Sequence, residues 1–302
     1  MMKIQKVLFP TDFSRCAQQT LGPATHWATE YGAELHVLHA MALFQDYSAR
    51  IPNKKAINEQ LQDLAAGHMS EIIQALQDDN LKIKQALVRG ISTAPAILGY
   101  AKENDIDLIV MGTHGRRGLG HLFLGSVAEE VVRLAPCPVL TIRERETPAP
   151  IEIMKLILVP VDFSEHARQA LVYAKQIAAT YKARLQLLHV VEEVIHPACY
   201  MATGPSVLAF PPELKERAKL EMKKLLRETK GPEVAADLHV IEGYAARDII
   251  NFAENYASDL IVIATHGRTG FEHMLLGSVT EKVVRRAPCP VFTVRTFGKS
   301  LI

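Results

Sequence analysis

Apolar residues fall along this chain in two alternating rhythms. Short continuous runs, IQKVLF, ELHVLHA, KIKQALV, DLIVMG and PVLTI, are separated by longer stretches with apolar positions three and four apart. A run of four to eight apolar residues suits a strand buried on both faces, and the wider spacing suits an amphipathic helix. The helical faces are Ala170, Leu171, Ala174, Ile177 and Ala178; Leu61, Leu64, Ala65, Met69, Ile72, Ile73 and Leu76; Leu214, Ala218, Met222, Leu225 and Leu226; and Val127, Val131 and Val132. Five strands alternating with four helices predict a doubly wound, mostly parallel α/β sheet, because each connection is long enough for a parallel crossover. The DLIVMG run is the most apolar and is placed centrally.

The plan is written twice. KVLFPTDFS (Lys6 to Ser14) reappears as LILVPVDFS (Leu156 to Ser164), LHVLHA as LQLLHV, and the segment Gly112 to Arg143 as Ala264 to Arg295 with most residues unchanged. Agreement of that extent points to duplication of a whole domain. The join, RERETPAPIE from Arg143 to Glu152, is charged and proline-rich and reads as an exposed linker. The expected domains are 1–145 and 152–302, two tandem five-stranded sheets.

In an open sheet of this kind, ligands bind beyond the carboxyl ends of the strands, where the winding reverses. Two features meet there in each copy. One is the turn after the first strand, Pro10-Thr11-Asp12 and Pro160-Val161-Asp162. The other is GTHGRRGLGHLFLGS (Gly112 to Ser126) or ATHGRTGFEHMLLGS (Ala264 to Ser278). Glycine lacks Cβ, so the backbone at Gly112 and Gly115 can take unusual angles or approach a ligand closely. Gly125-Ser126 opens a helix whose first amides and partial positive charge suit a phosphate. Ser126 either donates its hydroxyl to that phosphate or caps the helix. Asp12 and Asp162 either cap the following helix or accept hydrogen bonds from a ribose or adenine. His114 and His266 are expected to brace their loops. Arg116 and Arg268 are candidate phosphate partners. His39 and His189, on the second strands, are read as packed histidines. His196 and Cys199 form a weak metal pair with no match in the first copy.

Charge narrows the partners. There are 34 basic and 33 acidic side chains, which argues against a polyanion-binding surface. Aromatics make up 6% of the chain, too few for single-strand stacking platforms. Hence no nucleic acid is expected. No apolar run approaches the roughly 18 residues of a membrane span. The start, MMKIQKVLFPTD, lacks the features of a secretory leader, so a cytoplasmic location is expected. Cys16, Cys137, Cys199 and Cys289 show no Cys-x-x-Cys spacing and read as buried thiols.

These residues resemble the universal stress protein family in its tandem form, over nearly the whole chain. The specific elements are P-x-D after strand one and G-x2-G-x9-G-[ST] after strand four. The resemblance implies the adenine nucleotide alpha hydrolase-like strand order 3-2-1-4-5 and ATP as the cofactor. It implies that Asp12 with Ala40, and Asp162 with Val190, hold the adenosine part. Gly112, Gly115, Gly125, Ser126 and Val127 would hold ribose and phosphates, as would Gly267, Gly277, Ser278 and Val279. Pro10, Met111, His114 and Arg116, with Pro160, Ile263, Ala264, His266 and Arg268, flank these positions and complete the expected sites. It also implies pairing through the fifth strands, which a tandem chain could satisfy within one molecule, with a homodimer and a protein partner left open. Ala264 departs from the pattern: if that position needs a positive φ, the methyl costs about 1 kcal/mol or more.

Three functions compete. The first is a nucleotide-binding regulator in the stress response, with at most slow hydrolysis or self-phosphorylation. An ATP-pyrophosphatase would need a Ser-Gly-Gly-type loop where this chain has PTDFS and PVDFS, and neither copy has a Walker lysine. The third is a module for another ligand, lipid-like or metal, in which the second domain has lost ATP. The segment Glu192 to Pro212, unlike its counterpart, could lid such a site. The sequence leaves the magnesium requirement undecided.

Overall fold

A computed structural model describes residues 2–42, 54–76, 81–115, 124–146, 153–192, 212–267, 276–295 and 299–302. The chain forms two compact units, Met2–Glu152 with Phe297–Ile302, and Ile153–Thr296. Arg116, Arg268, His196, Cys199 and the segment 193–211 lie outside the described residues.

The first unit runs β1 (Lys6–Pro10), α1 (Arg15–Tyr31), β2 (Glu34–Ala42), α2 (Lys54–Ala75), β3 (Ile83–Gly90), α3 (Thr93–Glu103), β4 (Leu108–Gly112), α4 (Ser126–Leu134) and β5 (Val139–Ile142). Its sheet is parallel throughout with order β3-β2-β1-β4-β5. The second unit repeats it with β6 (Leu156–Pro160), α5 (Glu165–Tyr181), β7 (Arg184–Glu192), α6 (Pro212–Glu228), β8 (Ala236–Gly243), α7 (Ala245–Asn255), β9 (Leu260–Ala264), α8 (Ser278–Arg286) and β10 (Val291–Val294). The order is β8-β7-β6-β9-β10, again parallel. The winding therefore reverses between β1 and β4, and between β6 and β9.

The apolar runs become the sheet cores. Val7, Leu8 and Phe9 of β1, and Leu108, Ile109 and Val110 of β4, are fully buried. Helix α5 buries Ala170, Leu171, Ala174, Ile177 and Ala178, the face its spacing predicted. Helices α2 and α6 bury less than their patterns suggested. Ala65, Met69 and Leu76 are buried, but Leu61 is 50% and Leu64 63% exposed, and Leu214 is 45% exposed. These helices lie against the outer strands of their sheets, α2 on β2 and β3 and α6 on β8.

Both first helices begin the same way. Ser14 and Ser164 accept hydrogen bonds from the amides of Ala17 and Ala167, at 3.3 and 3.1 Å, satisfying orphan donors of the first turn. Both end on a left-handed residue, Gly32 at φ 62° and Lys182 at φ 54°.

A carboxylate ties down the amino end of each first strand. Asp107 Oδ2 accepts from the amides of Gln5 (2.7 Å) and Lys6 (3.0 Å), and Asp259 Oδ2 accepts from Lys155 (2.7 Å) and Leu156 (2.9 Å). The first unit adds the chain's own tail. Lys299 places Nζ 2.7 Å from both Asp105 Oδ1 and Asp107 Oδ1, its amide donates to Pro136 O, and Leu301, 5% exposed, accepts from the Lys3 amide at 2.9 Å. No helix among the described residues is long and apolar enough to cross a membrane.

Candidate functional site

The site is built where β1 and β4 end side by side. β1 stops at Pro10, and Asp12 follows in a turn that enters α1. The Asp12 carboxylate is aimed by its own neighbours: Oδ1 accepts from the Ser14 amide at 3.0 Å. Asp162 is held likewise by the Ser164 amide (3.0 Å) and hydroxyl (2.5 Å). The carboxylate braces the helix entry and faces the loop after β4.

Phe13 and Phe163 enforce that turn with φ of 63° and 62°, a region few non-glycine residues occupy. The rings find partners. Phe13 stacks on His39 at 4.5 Å between centroids, and Phe163 lies 4.5 Å from His189. His39 Nδ1 is 2.7 Å from Thr11 O, and His189 Nδ1 is 2.8 Å from Val161 O. A carbonyl only accepts, so Nδ1 carries the proton in both rings. The packed reading of these histidines describes their place, yet they also fix the turn that carries the aspartate. Nothing in a phenylalanine announces left-handed backbone; the recurrence of Asp-Phe-Ser in both copies was the available signal.

The loop after β4 meets the aspartate through glycine. A Cβ on Gly115 would stand 2.5 Å from Asp12 Oδ2, and one on Gly267 2.7 Å from Asp162 Oδ2. Gly125 and Gly277 leave room for the carbonyls of Thr113 and Thr265, whose oxygens a Cβ would meet at 3.1 and 3.0 Å. Those oxygens accept from the Gly125 and Gly277 amides at 2.9 Å, folding both ends of the loop together. None of these glycines has a positive φ. Their backbone angles are ordinary, and the space they leave lets the loop approach the protein's own carboxylate and carbonyls closely.

Ala264 is accounted for in the same terms. At Gly112 a Cβ would lie 2.6 Å from Cys16 Sγ, so the first unit needs glycine there for packing. In the second unit the position of Cys16 is held by His166, whose ring lies 6.0 Å from that of His266. Ala264 keeps strand backbone, paired with Val294, and its carbonyl accepts from Thr280 Oγ1 at 2.7 Å. The backbone cost anticipated for this alanine does not arise.

His114 and His266 hold Nδ1 2.8 and 2.9 Å from Oγ1 of the preceding Thr113 and Thr265. The first turns of α4 and α8 begin at the exposed Ser126 and Ser278, with Val127 and Val279 half-buried beside them. Neither serine is an N-cap; Gly125 and Gly277 are, so no side chain caps the first amides. Ala40 and Val190 are brought to the same edge by register, two residues beyond Leu38 and Leu188, which pair with Pro10 and Pro160. Met111 and Ile263 are buried one residue before the loop positions. Cys16 is buried beside the loop, and burial raises its thiol pKa, which makes it a packing group and not a nucleophile. No cluster of three or more metal-ligating side chains occurs among the described residues. The arrangement offers a fixed carboxylate, a folded glycine loop and helix-end amides around one strand junction, twice.

The profile of the universal stress protein family matches residues 3–143 and 154–295. Universal stress protein MJ0531 of Methanocaldococcus jannaschii is 34% identical over 143 residues, 47% of this chain and 83% of that protein. Universal stress protein Mb2028c of Mycobacterium bovis is 27% identical over 224 residues, 72% of this chain and 70% of that one. A crystal structure of a universal stress protein from Archaeoglobus fulgidus covers 97% of both chains with a TM-score of 0.68 at 22% identity, a likeness of fold. Two successive matches spanning both sheets make this chain a tandem, two-domain member of the universal stress protein family.

Proposed function

We propose that each unit binds one adenine nucleotide, ATP, at the carboxyl end of its sheet, and that occupancy of the two sites is the signal the protein passes on in the stress response. The observation that carries this reading is the closure of Gly115 on Asp12, repeated at Gly267 and Asp162. It places a carboxylate suited to the donors of an adenosine beside a loop that leads to a helix amino terminus suited to phosphate. Asp12 and Ala40 then serve the adenosine part, and Gly115, Gly125, Ser126 and Val127 the ribose and phosphates. Asp162 with Val190, and Gly267, Gly277, Ser278 and Val279, do the same in the second unit. Ala264 is no obstacle, since its backbone is ordinary strand.

The reading is regulatory and not catalytic at speed. The thiol next to the loop is held protonated, and the loop histidines are engaged through Nδ1 with neighbouring threonines. Slow hydrolysis or transfer to a loop hydroxyl is compatible with this geometry.

Calorimetric titration of ATP into the full chain, with and without magnesium, tests the proposal. Two nucleotides per chain are expected. Asp12→Ala and Asp162→Ala should each weaken one site by roughly 10- to 100-fold, the value of a hydrogen bond to a charged group, and the double variant should lose both. Unchanged stoichiometry and affinity in the double variant would place the nucleotide elsewhere.

A further inference from the structure

Residues 299–302 dock on the first unit at the amino ends of its strands, the pole of the sheet away from the candidate nucleotide site. Asp107 immediately precedes β4, and Pro136 lies just before β5. Leu301 is 5% exposed and Lys299 is half-buried, while Ser300 and Ile302 are exposed, the alternation of an extended segment. The same two inward residues carry the backbone bonds. The Lys299 amide donates to Pro136 O at 2.5 Å, and Leu301 O accepts from the Lys3 amide at 2.9 Å. Main-chain bonds at alternate residues, with the side chains of those residues received by the protein, are the pattern by which domains capture extended peptides.

The lysine enters a built site. Its Nζ lies 2.7 Å from Asp105 Oδ1, 2.7 Å from Asp107 Oδ1 and 3.0 Å from Asp105 O. An ammonium carries three N–H donors, and three acceptors surround it here. Asp107 is 4% exposed, and its Oδ2 is already committed to the amides of Gln5 and Lys6. A buried carboxylate oxygen left without a partner is costly, so Oδ1 calls for a donor of its own. Acceptors grouped around one atom suit a compact ammonium better than the planar fork of a guanidinium.

The duplicated plan does not require this arrangement. In the second unit Asp259 repeats the two backbone bonds of Asp107. Ala257, however, stands where the first unit has Asp105, in the same left-handed conformation, with φ of 48° against 54°. Tying down the first strand therefore needs only the aspartate shared by both units. The second carboxylate is particular to the first unit, and it meets Lys299.

We propose that this surface is a peptide-recognition site for an extended Lys-x-Leu segment, and that the chain's own residues 299–302 occupy it as a displaceable resident ligand. The ammonium is read by Asp105 and Asp107, the backbone by Pro136 and Lys3, and the leucine by the enclosure that covers Leu301. Because the tail belongs to the same chain, tethering at millimolar effective concentration fills even a weak site. The site stands independently of nucleotide binding at the strand ends.

The test uses the full chain carrying Lys299→Glu and Leu301→Asp, which disables the tail and leaves the receiving residues unchanged. Acetyl-Lys-Ser-Leu-Ile, which keeps the amide of its lysine, is titrated into this variant and followed by amide shifts at Lys3, Gln5 and Lys6. Saturable binding is expected, and it should be weaker by about tenfold or more in wild type, where the tail competes. Norleucine in place of the peptide's lysine should cost about tenfold or more, since it leaves Asp107 Oδ1 unanswered. Adding Asp105→Ala, which copies the second unit, should weaken binding roughly three- to tenfold, because Asp105 is the more exposed of the two carboxylates. With the tail unaltered, Asp105→Ala alone should speed hydrogen exchange at the Lys299 and Lys3 amides by a similar factor. Absence of saturation up to about 10 mM, equal binding to wild type, a norleucine peptide that binds as well as the lysine one, or exchange indifferent to Asp105→Ala would each overturn the proposal.

Discussion

A Cβ on Gly115 would stand 2.5 Å from Asp12 Oδ2. A side chain at residue 115 would therefore have to displace either the loop after β4 or the carboxylate. Gly115→Ala should push Asp12 off the Ser14 amide, loosening the entry to α1. We expect a lower melting temperature and a weaker first nucleotide site with the second unaffected, and Gly267→Ala should give the mirror result. Calorimetry and thermal melts on the two variants check this.

Gly112 poses a packing question that Cys16 answers. A methyl there would lie 2.6 Å from Sγ, and overpacking of a tight core costs about 1–3 kcal/mol. Gly112→Ala should be destabilising by that order, and adding Cys16→Ala should restore most of the loss. A double-mutant cycle by chemical denaturation measures the coupling. Additive effects would mean that the sulfur is not what the methyl meets.

The two copies differ at the end of their first helix. Gly32 takes a left-handed cap without strain, whereas Lys182 holds the same conformation with a Cβ. Lys182→Gly should stabilise the second unit by about 1 kcal/mol, read as a shift of the denaturation midpoint. Gly32→Lys should do the reverse in the first unit.

The C-terminal tail contributes to the first unit through Lys299. Hydrogen bonds to Lys299 lower the pKa of Asp105. Burial opposes the charge on Lys299, but its bonds to Asp105 and Asp107 outweigh this, and its pKa is raised. The Asp105 contribution is present above the ordinary carboxyl value of 3.8 and fades as pH falls through the lower folded value. The Lys299 contribution is present below 10.5 and fades as pH rises through the higher folded value. Between these limits, Lys299→Ala should speed hydrogen exchange at the amides of Lys3, Gln5 and Lys6, and added salt should narrow the difference from wild type.

Two histidines set an acid limit. His36 is 1% exposed and bonded to Tyr100, and burial lowers its pKa, as it does for His239. The unfolded chain then binds protons more readily than the folded one, so stability falls as pH drops below 6.5 toward the folded values. His36→Gln, which copies the residue at Gln186, should flatten that decline between pH 7 and 5 in thermal melts. An unchanged slope would move the cause elsewhere.

Much of this was legible in the sequence, for identifiable reasons. Strands buried on both faces leave continuous apolar runs, and duplication let each half confirm the other. Asp12 and the glycine positions stood out because chemistry and repetition coincided. Other features leave no local trace. The left-handed backbone at Phe13 is imposed by the turn and not by the ring. The bonds from Asp107 to Gln5 and Lys6 join residues far apart in the chain. The exposure of Leu61 and Leu64 is a tertiary property of how α2 lies on β2 and β3. The carboxylate that Gly115 approaches and the sulfur that Gly112 approaches come from the turn after β1 and the start of α1, far away in the chain, so that packing leaves no local trace.

The most direct test of nucleotide binding at the strand ends is a backbone amide NMR titration of the full chain with ATP. Saturable shifts at Val127 and Val279, lost one at a time in Asp12→Ala and Asp162→Ala, are the result this account predicts. Shifts confined to other parts of the chain, or none as ATP saturates, would contradict it.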